Sequence, residues 1–194
     1  MIAGVLLCGG ASRRFGADKL LAGEVPIAAR AAANLLAGAG HVLAVIPLAR
    51  AELRHALEAA GCEILETDRT TRGMGASLAA GVEASARAAG WIVALGDMPM
   101  VHVETIAAVK GALEGGARVA APYDASGRRG HPVGFSPALL GELLALDGDA
   151  GARAILELYA DEIARIETQD PGIFIDIDTP QDLAALSAGR PSAG

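Results

Sequence analysis

The chain has 194 residues, with 23 acidic and 16 basic side chains and a formal net charge of −7 at pH 7. This length predicts one domain with a full hydrophobic core, and the acidic balance argues against a general nucleic-acid or anionic-membrane surface. Two cysteines, Cys8 and Cys62, are too few for a disulfide framework or a zinc site, so both are expected as buried side chains in a reducing cytosol.

The first apolar run follows no basic residues, and glycines and Pro47 interrupt the uncharged stretch 31–49. Neither a signal peptide nor a spanning helix is therefore predicted, and the protein is expected in the cytoplasm.

Apolar runs of strand length alternate with segments of helical composition along the chain. We predict strands over 2–7, 42–46, 62–65, 91–95, 118–121, 132–135 and 173–177. We predict helices over 27–39, 51–60, 76–89, 103–113, 137–146, 150–159 and 181–188, the last with Thr179 as its cap. This alternation indicates an α/β fold with a mainly parallel sheet covered on both faces. A single domain is expected over residues 1–188, followed by a disordered tail over 189–194.

The first strand ends in a glycine-rich segment, Cys8-Gly9-Gly10-Ala11-Ser12, which continues through Arg13 and Arg14 to Lys19. Glycines let backbone N–H groups approach an anion closely, and the cations that follow can neutralise phosphate charge. The segment matches neither the Walker A pattern nor the dinucleotide-binding pattern. It therefore predicts another kind of triphosphate site, although the glycine pair alone is equally typical of an ordinary turn.

Carboxylates lie at the ends of two predicted strands. Asp97 lies in Gly96-Asp97-Met98-Pro99 after the strand 91–95, and Asp176 and Asp178 lie at the end of the strand 173–177. Ligands of parallel sheets bind beyond the carboxyl ends of the strands, so these groups and the glycine-rich segment are expected to meet there. Carboxylate oxygens suit a Mg²⁺ ion that also binds phosphate. Each aspartate alone is as typical of a turn or a helix cap, but together with the glycine-rich segment they indicate a metal-bound triphosphate.

These segments, in this order, resemble the motifs of the molybdenum cofactor cytidylyltransferases and guanylyltransferases. The matching stretches span residues 5–186 and are a strand followed by x-G-G-x-S-x-R-x-G-x-x-K, then Gly96-Asp97-Met98-Pro99, then D-x-D-T-P-x-D-L over 176–183. The resemblance implies a three-layer Rossmann-like nucleotidyltransferase fold around a mainly parallel central sheet. It also implies Mg²⁺-dependent transfer of a nucleoside monophosphate from an NTP to the terminal phosphate of a molybdopterin-type cofactor, with release of pyrophosphate.

The resemblance also implies roles for residues at the matching positions. Catalysis is assigned to Arg14, Lys19 and Asp97, and the metal ligands are Asp97 and Asp178. Nucleotide binding is assigned to Leu7, Cys8, Gly9, Gly10, Arg14, Lys19 and Ser77. Substrate binding is assigned to Arg72, Gly73, Arg129, Gly130 and His131. Without the resemblance, Ser77 is as typical of a helix cap, and a lone histidine such as His131 is more often structural.

Two parts of the sequence favour different bases. The stretch Arg129-Gly130-His131-Pro132 and the segment 147–153 resemble the cytidylyltransferases. Gly9 departs from their Ala-Ala-Gly loop and is more typical of the guanylyltransferases, because the missing methyl group makes room for a purine. More segments favour the first group, so we predict CTP over GTP.

Other functions stay open on the sequence alone. A related nucleotidyltransferase for another acceptor, such as a sugar phosphate, would use the same loop and carboxylates. A nucleotide-binding chaperone for a molybdenum hydroxylase would need the loop without turnover, and such a hydroxylase is also a possible recipient of the product. A plain glycine-rich α/β scaffold would need none of these motifs. Neither nucleic acid nor a membrane is expected as a partner.

Overall fold

The structure is a computed structural model that describes residues 1–9 and 18–187. Within these ranges, seven strands form one sheet in the order β3-β2-β1-β4-β6-β5-β7. The strands are β1 (Ala3–Leu7), β2 (Val42–Ile46), β3 (Glu63–Glu66), β4 (Trp91–Leu95), β5 (Val119–Tyr123), β6 (Val133–Phe135) and β7 (Ile163–Glu167). Only β6 runs antiparallel to its neighbours. The predicted α/β fold with a mainly parallel sheet is confirmed.

Helices cover both faces of this sheet. They are α1 (Ile27–Ala39), α2 (Ala51–Ala59), α3 (Met74–Ala84), α4 (Val103–Glu114), α5 (Leu140–Leu144), α6 (Arg153–Leu158) and α7 (Pro180–Ser187). Helix α1 packs beside α2 and α4, and α3 packs beside α5. Side chains of β1 alternate between the two cores, with Leu6 and Cys8 in one and Val5 and Leu7 in the other. The sheet is thus the middle of three layers, and none of the helices in the described ranges is long and apolar enough to cross a membrane.

The strand predictions fail in the carboxyl-terminal part of the chain. Residues 163–167 form β7, which was not predicted because Arg165 and Glu167 interrupt its apolar residues. Charged residues are tolerated there because β7 is an edge strand, paired only through β5 in the described sheet. The predicted strand 173–177 is wrong: a 3₁₀ turn, Pro171–Phe174, is followed by an extended segment outside the sheet.

Several helix boundaries also differ from the prediction. Helix α3 begins two residues before the predicted 76 and ends at Ala84 instead of 89. The Ser85 hydroxyl ends this helix by donating to Gly81 O (2.7 Å) and accepting from Trp91 Nε1 (3.0 Å). The predicted helix 137–146 is divided into a 3₁₀ turn, Pro137–Leu139, and α5.

Two chain segments meet at the carboxyl edge of the sheet, where the strand order reverses. The chain runs from β1 outward to β2 and β3, then crosses to β4 on the other side of β1. Leu7 is in register with Leu95, and Gly96 N donates to Leu7 O at 2.9 Å. A Cβ atom on Gly96 would lie 2.7 Å from Cys8 Sγ, so this close approach requires glycine. The residues that follow β1 and β4 therefore lie side by side, as expected at such a switch point.

The segment after β7 reaches the same edge by specific backbone contacts. Asp170 is buried, and its carboxylate accepts hydrogen bonds from His102 N, Thr105 Oγ1 and Gly172 N, each at 2.8 Å. Farther along, Ile177 N donates to Asp97 O at 2.9 Å. These contacts bring the residues around Asp178 next to the end of β4, although no strand carries them.

Candidate active site

Lys19 lies at the centre of the candidate site. Its Nζ is 2.8 Å from Asp97 Oδ2 and 2.7 Å from Asp178 Oδ1, although these residues are 78 and 159 positions away in sequence. The Lys19 side chain is only 15% exposed. Burial by itself lowers the pKa of Lys19, but the hydrogen bonds to Asp178 and Asp97 outweigh burial and raise it above the ordinary lysine value. The three groups that the sequence predicted to meet are therefore in direct contact, with Lys19 as a cation.

A capping arrangement at the start of α7 holds the Asp178 backbone. The Asp182 carboxylate accepts hydrogen bonds from Asp178 N (3.1 Å), Thr179 N (2.7 Å) and Thr179 Oγ1 (2.8 Å). In return, Thr179 Oγ1 accepts from Asp182 N at 3.2 Å, which confirms Thr179 as the helix cap. The hydrogen bonds from Thr179 lower the pKa of Asp182, so its carboxylate is ionised at neutral pH.

The donor set fits a Mg²⁺ ion that also binds a substrate phosphate. Because Asp97 Oδ2 and Asp178 Oδ1 both contact one ammonium group, they lie close enough to bind one cation. No cluster of three or more His, Cys, Asp or Glu side chains arranged for a metal occurs in the described part of the chain. Magnesium characteristically takes one or two carboxylates and completes its shell with phosphate oxygens and water. Asp176, which the resemblance does not assign to the metal, is exposed.

A cleft of about 680 Å³ opens beside Lys19 and Asp97. This volume is in the range of small-molecule sites. Its described lining residues are Leu7, Gly9, Lys19, Leu20, Pro47, Thr70, Thr71, Gly73, Met74, Ser77, Leu95, Asp97 and Asp149. The cleft therefore contains Leu7, Gly9, Lys19 and Ser77 of the predicted nucleotide-binding residues.

Of the three other predicted nucleotide-binding residues, Cys8 lies in the described part of the chain and does not line this cleft. The Cys8 side chain points into the core, and its burial raises the pKa of the thiol, so only its backbone is available to a ligand. Burial likewise raises the pKa of Cys62 to about 11, and both cysteines are free and buried, as predicted. Gly10 and Arg14 lie outside the described residues, as does the predicted tail 189–194.

Gly9 and Ser77 are close neighbours in the lining of the cleft. A Cβ atom on Gly9 would lie 3.3 Å from both Ser77 Oγ and Thr70 Cβ, which is a tight contact. Ser77 Oγ donates to Gly73 O at 2.8 Å, so its lone pairs are left to accept a hydrogen bond from a ligand. An amino group of a base, or a ribose hydroxyl, provides such a donor.

A second cavity, of about 250 Å³, adjoins the cleft. The two share Leu7, Met74 and Leu95 as lining residues. Arg129 and His131, both predicted to bind substrate, line the second cavity together with Arg153 and the apolar side chains Leu78, Val93, Val133, Phe135 and Leu156. The cavity thus combines cationic side chains with an apolar surface.

The histidine segment is packed tightly behind this second cavity. His131 Nδ1 is buried without a hydrogen-bond partner among the described atoms. Burial lowers the pKa of His131, so the imidazole is neutral at pH 7. His131 N donates to Ile173 O at 3.0 Å, and a Cβ atom on Gly130 would lie 2.6 Å from the same carbonyl oxygen. Gly130 is therefore required for packing against the 3₁₀ turn that leads to Asp178.

Arg72 and Gly73 are not among the described lining residues of the second cavity. Arg72 Nη2 pairs with Asp147 Oδ2 at 2.6 Å, and both side chains are more than half exposed. Gly73 has a φ of 114° and lies so close to Asp149 that a Cβ atom would be 2.3 Å from Asp149 Oδ1. Gly73 lines the first cleft, whereas Arg72 is absent from the described lining of both. Their assignment to substrate binding stays a prediction.

Some residues of the site were not identified from the sequence. Thr70 and Thr71 line the cleft from the 3₁₀ turn Asp68–Arg72, which the sequence indicated only as a polar loop. The signal was a pair of hydroxyl side chains just after a strand, which is weak because such residues are common in turns. Arg50, which contacts Asp18 next to Lys19, was also missed, because nothing near it in sequence links it to the glycine-rich segment.

Most of the chain is similar to a known protein family. Residues 4–165 match the model of the MobA-like NTP transferase domain. No curated protein matches the chain. The crystal structure of Rv0371c from Mycobacterium tuberculosis H37Rv is 27% identical, with a TM-score of 0.80 over 95% of this chain and 96% of that chain.

Two further solved structures bear on the fold alone, since their identities are low. A complex of Rv0371c with manganese is 24% identical, with a TM-score of 0.70 over 95% of this chain and 97% of that chain. A nucleotidyl transferase from Methanothermobacter thermautotroptrophicus, Mth528, is 23% identical, with a TM-score of 0.80 over 97% of both chains. The three-layer arrangement described above is thus that of solved nucleotidyltransferases.

Proposed function

The chain belongs to the family of MobA-like NTP transferase domains and is therefore a nucleotidyltransferase, and on this basis we propose its substrates. It transfers the nucleoside monophosphate of an NTP, CTP in preference to GTP, to the terminal phosphate of a molybdopterin-type cofactor and releases pyrophosphate. One observation carries this proposal: Lys19 Nζ lies between Asp97 and Asp178 beside a cleft of about 680 Å³.

The reaction is a displacement at the α-phosphorus of the NTP. A terminal phosphate oxygen of the acceptor forms the new P–O bond, and the bond to the β-phosphate breaks as pyrophosphate leaves. The attacking phosphate is already anionic at neutral pH, so the site needs no general base. Catalysis then depends on positioning and on neutralising charge in the transition state.

Lys19 is suited to neutralising the charge that moves onto pyrophosphate. Its pKa is raised, so the ammonium is fully charged over the physiological pH range. Arg14 is expected to assist from the glycine-rich segment. A Mg²⁺ ion held by Asp97 and Asp178 would add a further positive charge at the phosphates.

The acceptor is expected in the cavity lined by Arg129 and His131. It adjoins the nucleotide cleft through Leu7, Met74 and Leu95, so an acceptor there would reach an NTP in the cleft. Arg129 and Arg153 suit a phosphate group, and the apolar side chains suit a fused ring system. These features support a molybdopterin-type acceptor.

The test is pyrophosphate release from each of the four NTPs with Mg²⁺ and molybdopterin. We expect release with CTP, less with GTP, and a loss of about a hundredfold or more in kcat for Asp97→Asn, by analogy with other preorganised electrostatic groups. Asp161→Asn, an exposed carboxylate after α6, is the matched control and should keep wild-type turnover.

Other results would change the proposal in defined ways. Release with a sugar phosphate but not with molybdopterin would retain nucleotidyl transfer and replace the acceptor. No release with any NTP and acceptor would overturn the proposed reaction and favour a nucleotide-binding chaperone for a molybdenum hydroxylase.

A further inference from the structure

A second ion pair lies next to Lys19. Arg50 Nη2 contacts Asp18 Oδ2, and the two side chains are 30% and 26% exposed. In the described ranges, this is the one arginine–carboxylate pair in which both side chains are less than one-third exposed. Ion pairs at the surface contribute little because solvent screens them, and this pair is better shielded. It therefore differs from the exposed pairs elsewhere on the chain.

Asp18 holds the short turn that carries Lys19. The 3₁₀ turn Lys19–Leu21 has only three residues, and Asp18 Oδ1 accepts a hydrogen bond from Leu20 N at 3.3 Å. A turn of this length has few hydrogen bonds of its own, so its position depends on its cap and on the buried Leu20 side chain. The two Asp18 oxygens thus connect the Lys19 turn to Arg50.

Arg50 is itself held at the carboxyl edge of the sheet. It follows β2 after a turn in which Ala49 has a φ of 59°, a left-handed conformation that is unfavourable for a non-glycine residue. Arg50 also begins α2, since Arg54 N donates to Arg50 O at 2.9 Å. Pro47, in the same turn, lines the nucleotide cleft. A strained turn and a helix start therefore direct this arginine toward Asp18.

We propose that Arg50 is a positioning residue of the transferase. Through Asp18 it holds the turn that places Lys19 Nζ between Asp97 and Asp178. Arg50 acts on the orientation of Lys19 and does not touch the substrate. The expected loss of catalysis in Arg50 variants rests on the proposed function, whereas the effect of Arg50 on the position of Lys19 does not.

The effect on Lys19 can be measured without any substrate. The chain has two lysines, Lys19 and Lys110, so brief acetylation followed by mass spectrometry compares them within one molecule. In the wild-type protein, the two carboxylates protect Lys19. Arg50→Met and Asp18→Asn should each raise the labelling of Lys19 relative to Lys110 several-fold. Arg54→Met, one turn farther along α2 and paired with the exposed Glu58, is the matched control and should leave the ratio unchanged.

Kinetics then separate positioning from direct contact. Arg50→Met should lower kcat for CTP about tenfold with little change in KM, as expected when a reacting group is displaced. Arg50→Lys should restore part of the loss, and Arg50→Met with Asp18→Asn should be no worse than Arg50→Met alone.

A fall in kcat with unchanged Lys19 labelling would mean that Arg50 acts directly on the triphosphate, and would overturn the proposal. Unchanged labelling and unchanged kcat would also overturn it. If neither the wild-type protein nor any variant transfers a nucleotide, the labelling ratio still tests whether Arg50 positions Lys19, independently of the proposed function.

Discussion

At the scale of single residues, the charge of Lys19 would govern how the proposed metal binds. Its ammonium contacts the same two carboxylates that fit Mg²⁺. A divalent ion that binds Asp97 and Asp178 therefore competes with Lys19 until a triphosphate offers the ammonium another anionic partner. Metal and nucleotide are expected to bind better together than separately.

Lys19→Met should therefore tighten the binding of Mn²⁺ in the absence of nucleotide. The variant lacks the ammonium that competes with a metal for Asp97 Oδ2 and Asp178 Oδ1. A gain of about tenfold in affinity corresponds to about 1.4 kcal/mol. Titration followed by the electron paramagnetic resonance of free Mn²⁺ measures this directly. Lys110→Met removes the other lysine and should bind Mn²⁺ as the wild type does. Equal affinities for both variants would contradict the competition.

Under the proposed function, Gly9 lies where the base of the nucleotide is expected. A methyl group at this position would lie 3.3 Å from Ser77 Oγ and Thr70 Cβ, so Gly9→Ala narrows this end of the cleft. We expect kcat/KM for GTP to fall about tenfold more than that for CTP, a typical effect of one methyl group in a pocket. Gly111→Ala, where an added Cβ atom has no neighbour within 4 Å, is the control. An equal loss for both nucleotides would show that Gly9 does not discriminate between bases.

At the scale of elements, the segment after β7 brings Asp178 to the site, a role that the sequence assigned to a strand. We predicted that Asp178 would lie at the end of a strand, 173–177, and would meet Asp97 beyond the carboxyl ends of the strands. It lies near Asp97, as predicted, but through the Ile177 N–Asp97 O hydrogen bond and the cap of α7. The alternation of Ile173, Ile175 and Ile177 indicated a strand because a docked extended segment buries side chains in much the same way. Local pattern cannot distinguish a sheet partner from a packed loop.

Asp170 should be the residue on which docking of this segment most depends. Asp170→Ala would leave His102 N, Thr105 Oγ1 and Gly172 N without their acceptor, and should lower the free energy of unfolding by about 3 kcal/mol. Urea unfolding measures the loss, and Asp161→Asn serves as the exposed control. Stability within about 0.5 kcal/mol of the wild type would mean that water replaces these contacts.

At the scale of the whole molecule, the site around Lys19 joins three distant parts of the chain. Lys19 precedes α1, Asp97 follows β4, and Asp178 precedes α7. A ligand that contacts all three should stabilise the native state as a unit, because the unfolded chain cannot bring them together.

Mg²⁺ with CTP should therefore raise the unfolding temperature more than the sum of the two separate effects. At a hundredfold excess over Kd, a ligand specific for the native state adds about 2.7 kcal/mol. Differential scanning fluorimetry with Mg²⁺, CTP and both together tests this, and Asp97→Asn should abolish the extra stabilisation. Additive shifts would indicate that metal and nucleotide bind independently.

The sequence by itself determined the central sheet and most of the alternating strands and helices, and it predicted which charged groups would meet, because apolar runs, glycines and charged side chains at strand ends are local signals. Helix α1 and strands β2 and β4 agree with the prediction to the residue. Only the tertiary structure decided that Lys19 lies between Asp97 and Asp178. It also decided the ion pairs that Arg72 forms with Asp147 and Arg50 with Asp18. These contacts join residues far apart in the chain, and their geometry depends on the packing of the elements between them.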